Sequence, residues 1–522
     1  MMKQQLSKSD SARYWLIAVM FIAVKLLLHF VTNTRYELLR DEMLFFNMGD
    51  HLSAGYATVP PVTGFIAFLV HKIFGFSVFG IRFFPAVLGA ASVYLISLIV
   101  KELGGGVFAL VIAASSYLLA PGFLLTGTLF TPNSFEEFIW ILCTLLIIRM
   151  IKTNNHVLWL PVGFLTGLGF LNKYSILLLA AGIIPALFFS PYRRILASGY
   201  FLKAILIFLI IITPNLIWQY DHAWPVLLHM SELKSSQLDL LGLGYFPASL
   251  FTFCQGSILI AVIGFVFLTF SKKEKHFRYL GVSALVVFLM MLCLKGKGYY
   301  GLVIMPVLFA AGGCCLEKYF TGSMRIVRNS AFIVSVLMSL IALPSGLPVL
   351  SYENYGKYVR NTRNFIFHPL LEWDNGTQHE YSQAYADMTG WNELAGIVAT
   401  TYNSLTEGEK AICTIFCEKS YGYAGAIYFY GKKYGLPEPV TFHESYVFWA
   451  PDTIPGNPVI YIYRDRNNMD ELFSDVKETG SVEDIYFRER GLKVFLCRSP
   501  KKDISKIYCD IAKEEKSRFM RQ

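Results

Sequence analysis

Asp41 and Glu42 stand side by side in the stretch YELLRDEMLFF, directly after the first long apolar run of the chain. A carboxylate at the edge of a membrane, partly withdrawn from water, suits a general base that takes a proton from an acceptor hydroxyl. The same pair also suits the start of a helix, where negative charge is favoured. Position alone leaves both roles open. A second chemical feature is CLKGKGYYGLVIMPVLFAAGG, residues 293–313. Lys295 and Lys297 offer point charges, Tyr299 a hydroxyl, and Gly296 and Gly298 a backbone that an anion can approach, which together suit a phosphate. The ordinary alternative is a lysine and tyrosine belt at the bilayer surface. Lys173, in GFLTGLGFLNKYS, and Arg82 can serve an anion or anchor a span. Asn133 and Glu136, in TGTLFTPNSFEEFIW, suit helix capping or contact with a sugar. Arg40 and Tyr56, on either side of the carboxylates, are further candidates for donor or acceptor contacts.

The elements that must position these residues are set by composition. Of 522 residues, 54% are hydrophobic, 16% aromatic and only 16% charged, and the mean hydropathy is +0.47. This is a polytopic helical membrane protein. A span needs roughly 20 apolar residues. Eleven stretches qualify, near 14–34, 80–100, 106–123, 134–151, 157–172, 174–190, 200–218, 245–270, 278–294, 299–316 and 327–345. The first is too long for a cleaved signal peptide and reads as a retained span. With Lys3, Lys8 and Arg13 inside, alternate loops carrying Lys101, Arg149 with Lys152, Arg193 with Arg194, SKKEKHFR and Lys318 with Arg325 and Arg328 all fall on the cytoplasmic side. The formal charge of +9 is therefore explained by the bilayer rather than by nucleic acid, for which no basic stripe or motif is present.

This topology places Asp41, Glu42, Arg82, Glu136, Glu137, Lys173, Lys295 and Lys297, from five separate stretches, near the same outer surface. A transporter or flippase of lipid-linked sugars, the alternative reading, favours an internal repeat and polar groups deep in the spans, and neither is expected here. A site at the interface suits a reactant with a lipid tail and a polar head. The outer loop, 35–79, reads as two surface helices separated by Pro60 and Pro61. Beyond residue 345 the chain becomes charged, with strand-like AICTIFC, PVIYIY and LKVFLCR alternating with helical GWNELAGIVATTYNSL, so 346–522 is expected to be an extracytoplasmic α/β domain after a transmembrane domain at 1–345. Cys413, Cys417, Cys497 and Cys509 lie in that domain. If CTIFC is a strand, Cys413 and Cys417 are about 13 Å apart and do not bridge each other.

RDEMLFFNMGDHLSAGYATVPPVTGFIAFL, GIRFFPAVLGA, TPNSFEEFIW, GLGFLNKYS and KGKGYYGLVIMPVLFAAGG resemble the membrane glycosyltransferases related to protein O-mannosyltransferases and the lipid A aminoarabinose transferase, with the C-type glycosyltransferase (GT-C) fold. The likeness continues through YADMTGWNELA and SYGYAGAIYFYGKKYGLPEPVTFHESYVFWAP. It implies transfer of a sugar from a polyprenyl phosphate such as undecaprenyl phosphate to an envelope acceptor (protein, lipid A or glycan), with inversion at the anomeric carbon, on the outer face of the cytoplasmic membrane. Carried onto this chain, Asp41 matches the catalytic carboxylate, Glu42 its neighbour, and Lys295, Lys297 and Tyr299 the region facing the lipid phosphate. Two departures stand out. Thr58 and Val59 occupy positions where aminoarabinose transferases carry an acidic residue and a lysine, and Asn133 stands where many relatives have Asp. No cofactor is expected, and the charge count makes a divalent metal optional.

Overall fold

The computed structural model describes residues 8–363, 371–373, 376–418, 420–466 and 468–520; Lys3 lies outside them. All eleven apolar stretches are helical. Six of these, Ser9–Thr32, Val78–Glu102, Gly199–Asp221, Lys275–Cys293, Gly298–Tyr319 and Gly322–Ser345, are long and apolar enough to cross a bilayer among the described residues. Two bent pairs raise the number to eight. Of the other three stretches, His156–Asn172 and Tyr174–Phe188 are short. The third, Pro132–Thr153, has 22 residues but carries Glu136, Glu137, Arg149 and Lys152. Length and composition thus support fewer full crossings than eleven, and the protein is a multi-pass membrane protein on either count.

The bends have identifiable causes. Val107–Leu119 and Pro121–Thr128 meet at 62°, because proline at the first position of the second helix has no N–H to continue the first. Tyr245–Cys254 and Ser257–Phe270 meet at 112°, across Gln255, whose φ is +44°, and Gly256, where a Cβ would stand 2.2 Å from the Ser335 carbonyl. The glycines singled out near Lys173 do bring helices together. A Cβ on Gly163 would meet the Ala204 carbonyl at 2.4 Å, and one on Gly167 would meet Ile211 at 3.0 Å.

The chain divides into two compact units. The first comprises 1–33, 82–213 and 234–380, so the boundary expected at 345 falls inside it. Its interior departs from the expectation that polar groups stay out of the spans. Lys25 and His29, one turn apart in the first helix, are fully buried. Lys25 donates to the Phe123 carbonyl at 2.7 Å and lies over the Tyr117 ring at 5.3 Å, so its side-chain nitrogen serves the bent Val107–Thr128 segment. His29 is within hydrogen-bond distance of Thr128. Polar side chains buried in a span persist when such partners are supplied.

The second unit comprises 34–81, 214–233 and 381–522. The helices of the outer loop are Arg40–Asn47 and Val62–Phe74. The sheet has strands β1 (Thr414–Cys417), β2 (Val459–Tyr463), β3 (Phe473–Ser481) and β4 (Lys493–Pro500) in the order β1-β2-β4-β3. β1 and β2 are parallel and the remaining pairs antiparallel. Helices Trp391–Asn403 and Tyr421–Tyr430 belong to the same unit. Three strands coincide with the apolar runs of the sequence; β3 was not anticipated, because FSDVKETGS is an edge strand with mostly exposed polar residues. All nine cysteines are free thiols, Cys413, Cys417, Cys497 and Cys509 included.

Candidate active site

In the second unit, the chain leaves Leu39 in extended conformation and turns into helix Arg40–Asn47. Glu42 reaches back so that its Oε2 accepts the Leu39 N–H at 2.9 Å, and its side chain is fully buried. Glu42, matched above to the neighbour of the catalytic carboxylate, caps the start of the helix, where carboxylates satisfy otherwise unpaired N–H groups. Asp41 is free of that duty. Its Oδ1 accepts a hydrogen bond from the Tyr421 hydroxyl at 2.6 Å. Arg40, beside it, points its Nε to Asp387 Oδ2 at 3.4 Å and lays its guanidinium over the Tyr421 ring at 5.7 Å. Asp387 is also held by Arg488 at 3.1 Å. Burial is the largest cause raising the Asp387 pKa, and the two guanidinium groups oppose it.

The Tyr421 ring stacks on His443, with centroids 5.4 Å apart and planes 21° apart. His443 and Glu444 open onto a cavity of about 930 Å³, whose lining also includes His229, Glu232, Phe442 and Tyr508. Glu444 adopts φ of +57°, an unusual conformation for a residue with a Cβ. Its carboxylate lies 4.0 Å from His229. Burial first, then the negative charges of Asp41 and Glu232, push its pKa up to about 7. Tyr56, considered as a ligand contact, is instead buried, and its hydroxyl donates to the Met48 carbonyl at 3.0 Å.

The basic candidates belong to the first unit. Lys173 caps the end of helix Trp159–Asn172. Its Nζ donates to Asn133 Oδ1 at 2.7 Å and Glu136 Oε2 at 3.0 Å, and Ser175 donates to the other oxygen of Glu136. The ammonium also lies over the rings of Tyr300, at 4.5 Å, and Tyr299, at 5.5 Å. Lys173, Asn133, Glu136 and the 3-10 helix Gly298–Ile304, which carries Tyr299 and Tyr300, thus share one corner of this unit. Lys295 has φ of +52° and reaches the Asp239 carbonyl at 3.4 Å. Gly298 is not an open cradle: a Cβ there would meet Ser249 Oγ at 2.3 Å, so its bareness serves helix packing. Arg82, considered as an anion ligand, is fully buried and donates to the Asn33 carbonyl at 2.7 Å. Glu137 is buried and accepts from Thr126. Among the described residues, no three His, Cys, Asp or Glu side chains converge as a metal site.

The sequence reading did not single out Tyr421, Asp387, His443 or Glu444 as site residues. Tyr421 meets Asp41 only through tertiary packing, and the one available signal was that all four lie in the stretches resembling glycosyltransferase tails.

The architecture is the GT-C fold. Over 92% of this chain and 97% of the other, it superposes on ArnT from Cupriavidus metallidurans bound to undecaprenyl phosphate, with a TM-score of 0.60 and 12% identity. The apo form of that protein gives a TM-score of 0.57 over 93% of this chain and 98% of the other, at 13% identity. Residues 58–218 match the model for the dolichyl-phosphate-mannose-protein mannosyltransferase family. The lipid A galacturonosyltransferase RgtD of Rhizobium johnstonii is 24% identical over 214 residues, 40% of this chain. The match spans 45% of that relative's length.

Proposed function

We propose that this protein is an inverting membrane glycosyltransferase that moves a sugar from an undecaprenyl or related polyprenyl monophosphate to an envelope acceptor. Protein, lipid A and other glycans are the acceptor classes. The reaction takes place on the outer face of the cytoplasmic membrane, with the N-terminus inside and the 346–522 region outside, as the distribution of Lys and Arg suggests.

The observation that carries this reading is Asp41. In a chain with the fold of a transferase solved with undecaprenyl phosphate, it is the member of the acidic pair not committed to capping. Its partner Tyr421 stacks on His443, which lines a cavity of about 930 Å³, large enough for a sugar. Asp41 takes the proton of the acceptor hydroxyl as the acceptor oxygen bonds to the anomeric carbon. The bond from that carbon to the phosphate oxygen breaks, and the lipid phosphate departs with the electron pair. Lys295, Lys297 and Lys173 are assigned to the phosphate, which gains negative charge as it leaves. This assigns charge neutralisation to side chains rather than to a metal. The acceptor approaches by the cavity that begins at His443 and Glu444.

Two measurements test the reading. Purified chain in lipid nanodiscs, given radiolabelled undecaprenyl-phosphate sugars and envelope extract, is expected to release undecaprenyl phosphate and label an acceptor. Mass spectrometry of envelopes from cells with and without the gene identifies that acceptor. Movement of intact lipid-sugar across the bilayer without cleavage would favour a flippase and overturn the reading.

A further inference from the structure

Asp41 and Tyr421 are 380 positions apart in sequence, and the geometry between them is set by close helix packing. Helix Tyr421–Tyr430 begins at Ser420, whose hydroxyl oxygen accepts the Gly422 N–H at 3.2 Å. Its next turns present Gly422 and Gly425 to helix Arg40–Asn47. A Cβ on Gly425 would stand 2.8 Å from the Met43 Cβ, and one on Gly422 would stand 3.1 Å from the Arg40 Cβ. The two backbones therefore approach more closely than side chains allow. That approach brings the first residue of one helix, Tyr421, to the second residue of the other, Asp41.

We propose that Tyr421 is a positioning residue for the proposed base: its hydroxyl holds Oδ1 of Asp41 so that Oδ2 is the oxygen presented to the acceptor. This rests on the reading of Asp41 given above. It also gives the 381–522 segment a part in the reaction itself, beyond binding an acceptor or covering the site.

Three observations support the assignment. The bond is short, at 2.6 Å, and a hydroxyl donating to a carboxylate is among the stronger hydrogen bonds. The phenol is a donor at any working pH, because burial first and Asp41 next raise its pKa well above the ordinary value. Its ring is flanked by Arg40 at 5.7 Å and stacked on His443 at 5.4 Å. Arg40 is in turn tied to Asp387. The charged and titratable groups around the pair are Arg40 from its own helix, Asp387 and Arg488, His443 and Glu444 from the cavity rim, and Glu232 and His229 from helix Pro225–Ser236.

The test is Tyr421→Phe in the full chain in nanodiscs, with the labelled donor, compared with wild type and with Asp41→Asn. The ring and its packing persist in Tyr421→Phe, so the melting temperature should stay near that of wild type. kcat should fall about tenfold with the KM for donor unchanged. A raised KM with unchanged kcat, or wild-type kcat and KM, would overturn the proposal while leaving Asp41 as base. If Tyr421→Phe melts early, Tyr421→His, which keeps a ring N–H donor, is the second variant; no recovery of kcat over Tyr421→Phe would overturn it as well. Should Asp41→Asn be fully active, the reading of Asp41 fails instead.

Discussion

Tyr421 donates its hydroxyl proton to Asp41 at 2.6 Å, joining the first turns of helices Arg40–Asn47 and Tyr421–Tyr430. The acidic pair that marks the chain from its first hundred residues is thereby divided in labour. Glu42 builds the helix start, and Asp41 is the carboxylate proposed for the chemistry.

The close helix contact behind this geometry is testable by glycine substitution. Gly425→Ala would place a Cβ 2.8 Å from the Met43 Cβ, an atom that cannot swing aside. Overpacking of this kind costs about 1–3 kcal/mol. The variant is expected to melt earlier and to lose transferase activity as Tyr421 shifts from Asp41. Gly396→Ala, on helix Trp391–Asn403 with nothing nearer its Cβ than 4.0 Å, is the control. It should be neutral or stabilise by up to about 1 kcal/mol. Equal melting of the two variants would contradict the packing described.

Lys173 and Glu136 form a largely buried pair, with side chains 18% and 4% exposed. Removing one partner strands the other charge. Lys173→Ala should destabilise by about 3 kcal/mol, and Lys173→Ala with Glu136→Gln should recover much of the loss. Donor KM should stay high in both, because the proposed phosphate contact is missing from each. Recovery of donor KM in the double variant would make Lys173 a purely structural residue.

Glu37 gives a pH test in the second unit. Its Oε2 accepts the N–H groups of Trp391 and Asn392 at 2.7 and 3.2 Å. Burial nevertheless pushes its pKa from 4.5 up to about 7, with those donors and Lys433 opposing and Asp484 adding. The folded state therefore binds this proton more tightly than the unfolded one. Its stabilising contribution is complete below about pH 4.5 and is lost as pH rises toward 7, amounting to up to about 3 kcal/mol. Thermal melting of the solubilised chain should fall between pH 5 and pH 8. Glu37→Gln, which keeps an acceptor oxygen without the charge, should flatten that slope. An unchanged slope would remove Glu37 as its source.

What was legible in the sequence followed from local pattern. Long apolar runs gave every membrane helix, and β1, β2 and β4 stood out because their residues face the core. β3 did not, since an exposed edge strand bearing Asp475, Lys477 and Glu478 looks like a loop. Asp41 stood out as a candidate because an acidic pair after a span is unusual. Tyr421 was not, because nothing local ties a tyrosine near residue 420 to a helix at residue 40. Lys25 and His29 went unremarked, and the burial of Arg82 was not foreseen, for a related reason. A span's sequence does not reveal that a bent neighbour, or a carbonyl such as that of Asn33, stands ready to accept from a cation.

The most direct measurement is sugar transfer by Asp41→Asn in nanodiscs with labelled undecaprenyl-phosphate sugar, at matched expression and melting temperature. Loss of a general base lowers the rate by about 10²–10⁴-fold. The account predicts a loss of that size, with donor still bound. Transfer within a few-fold of wild type would contradict it.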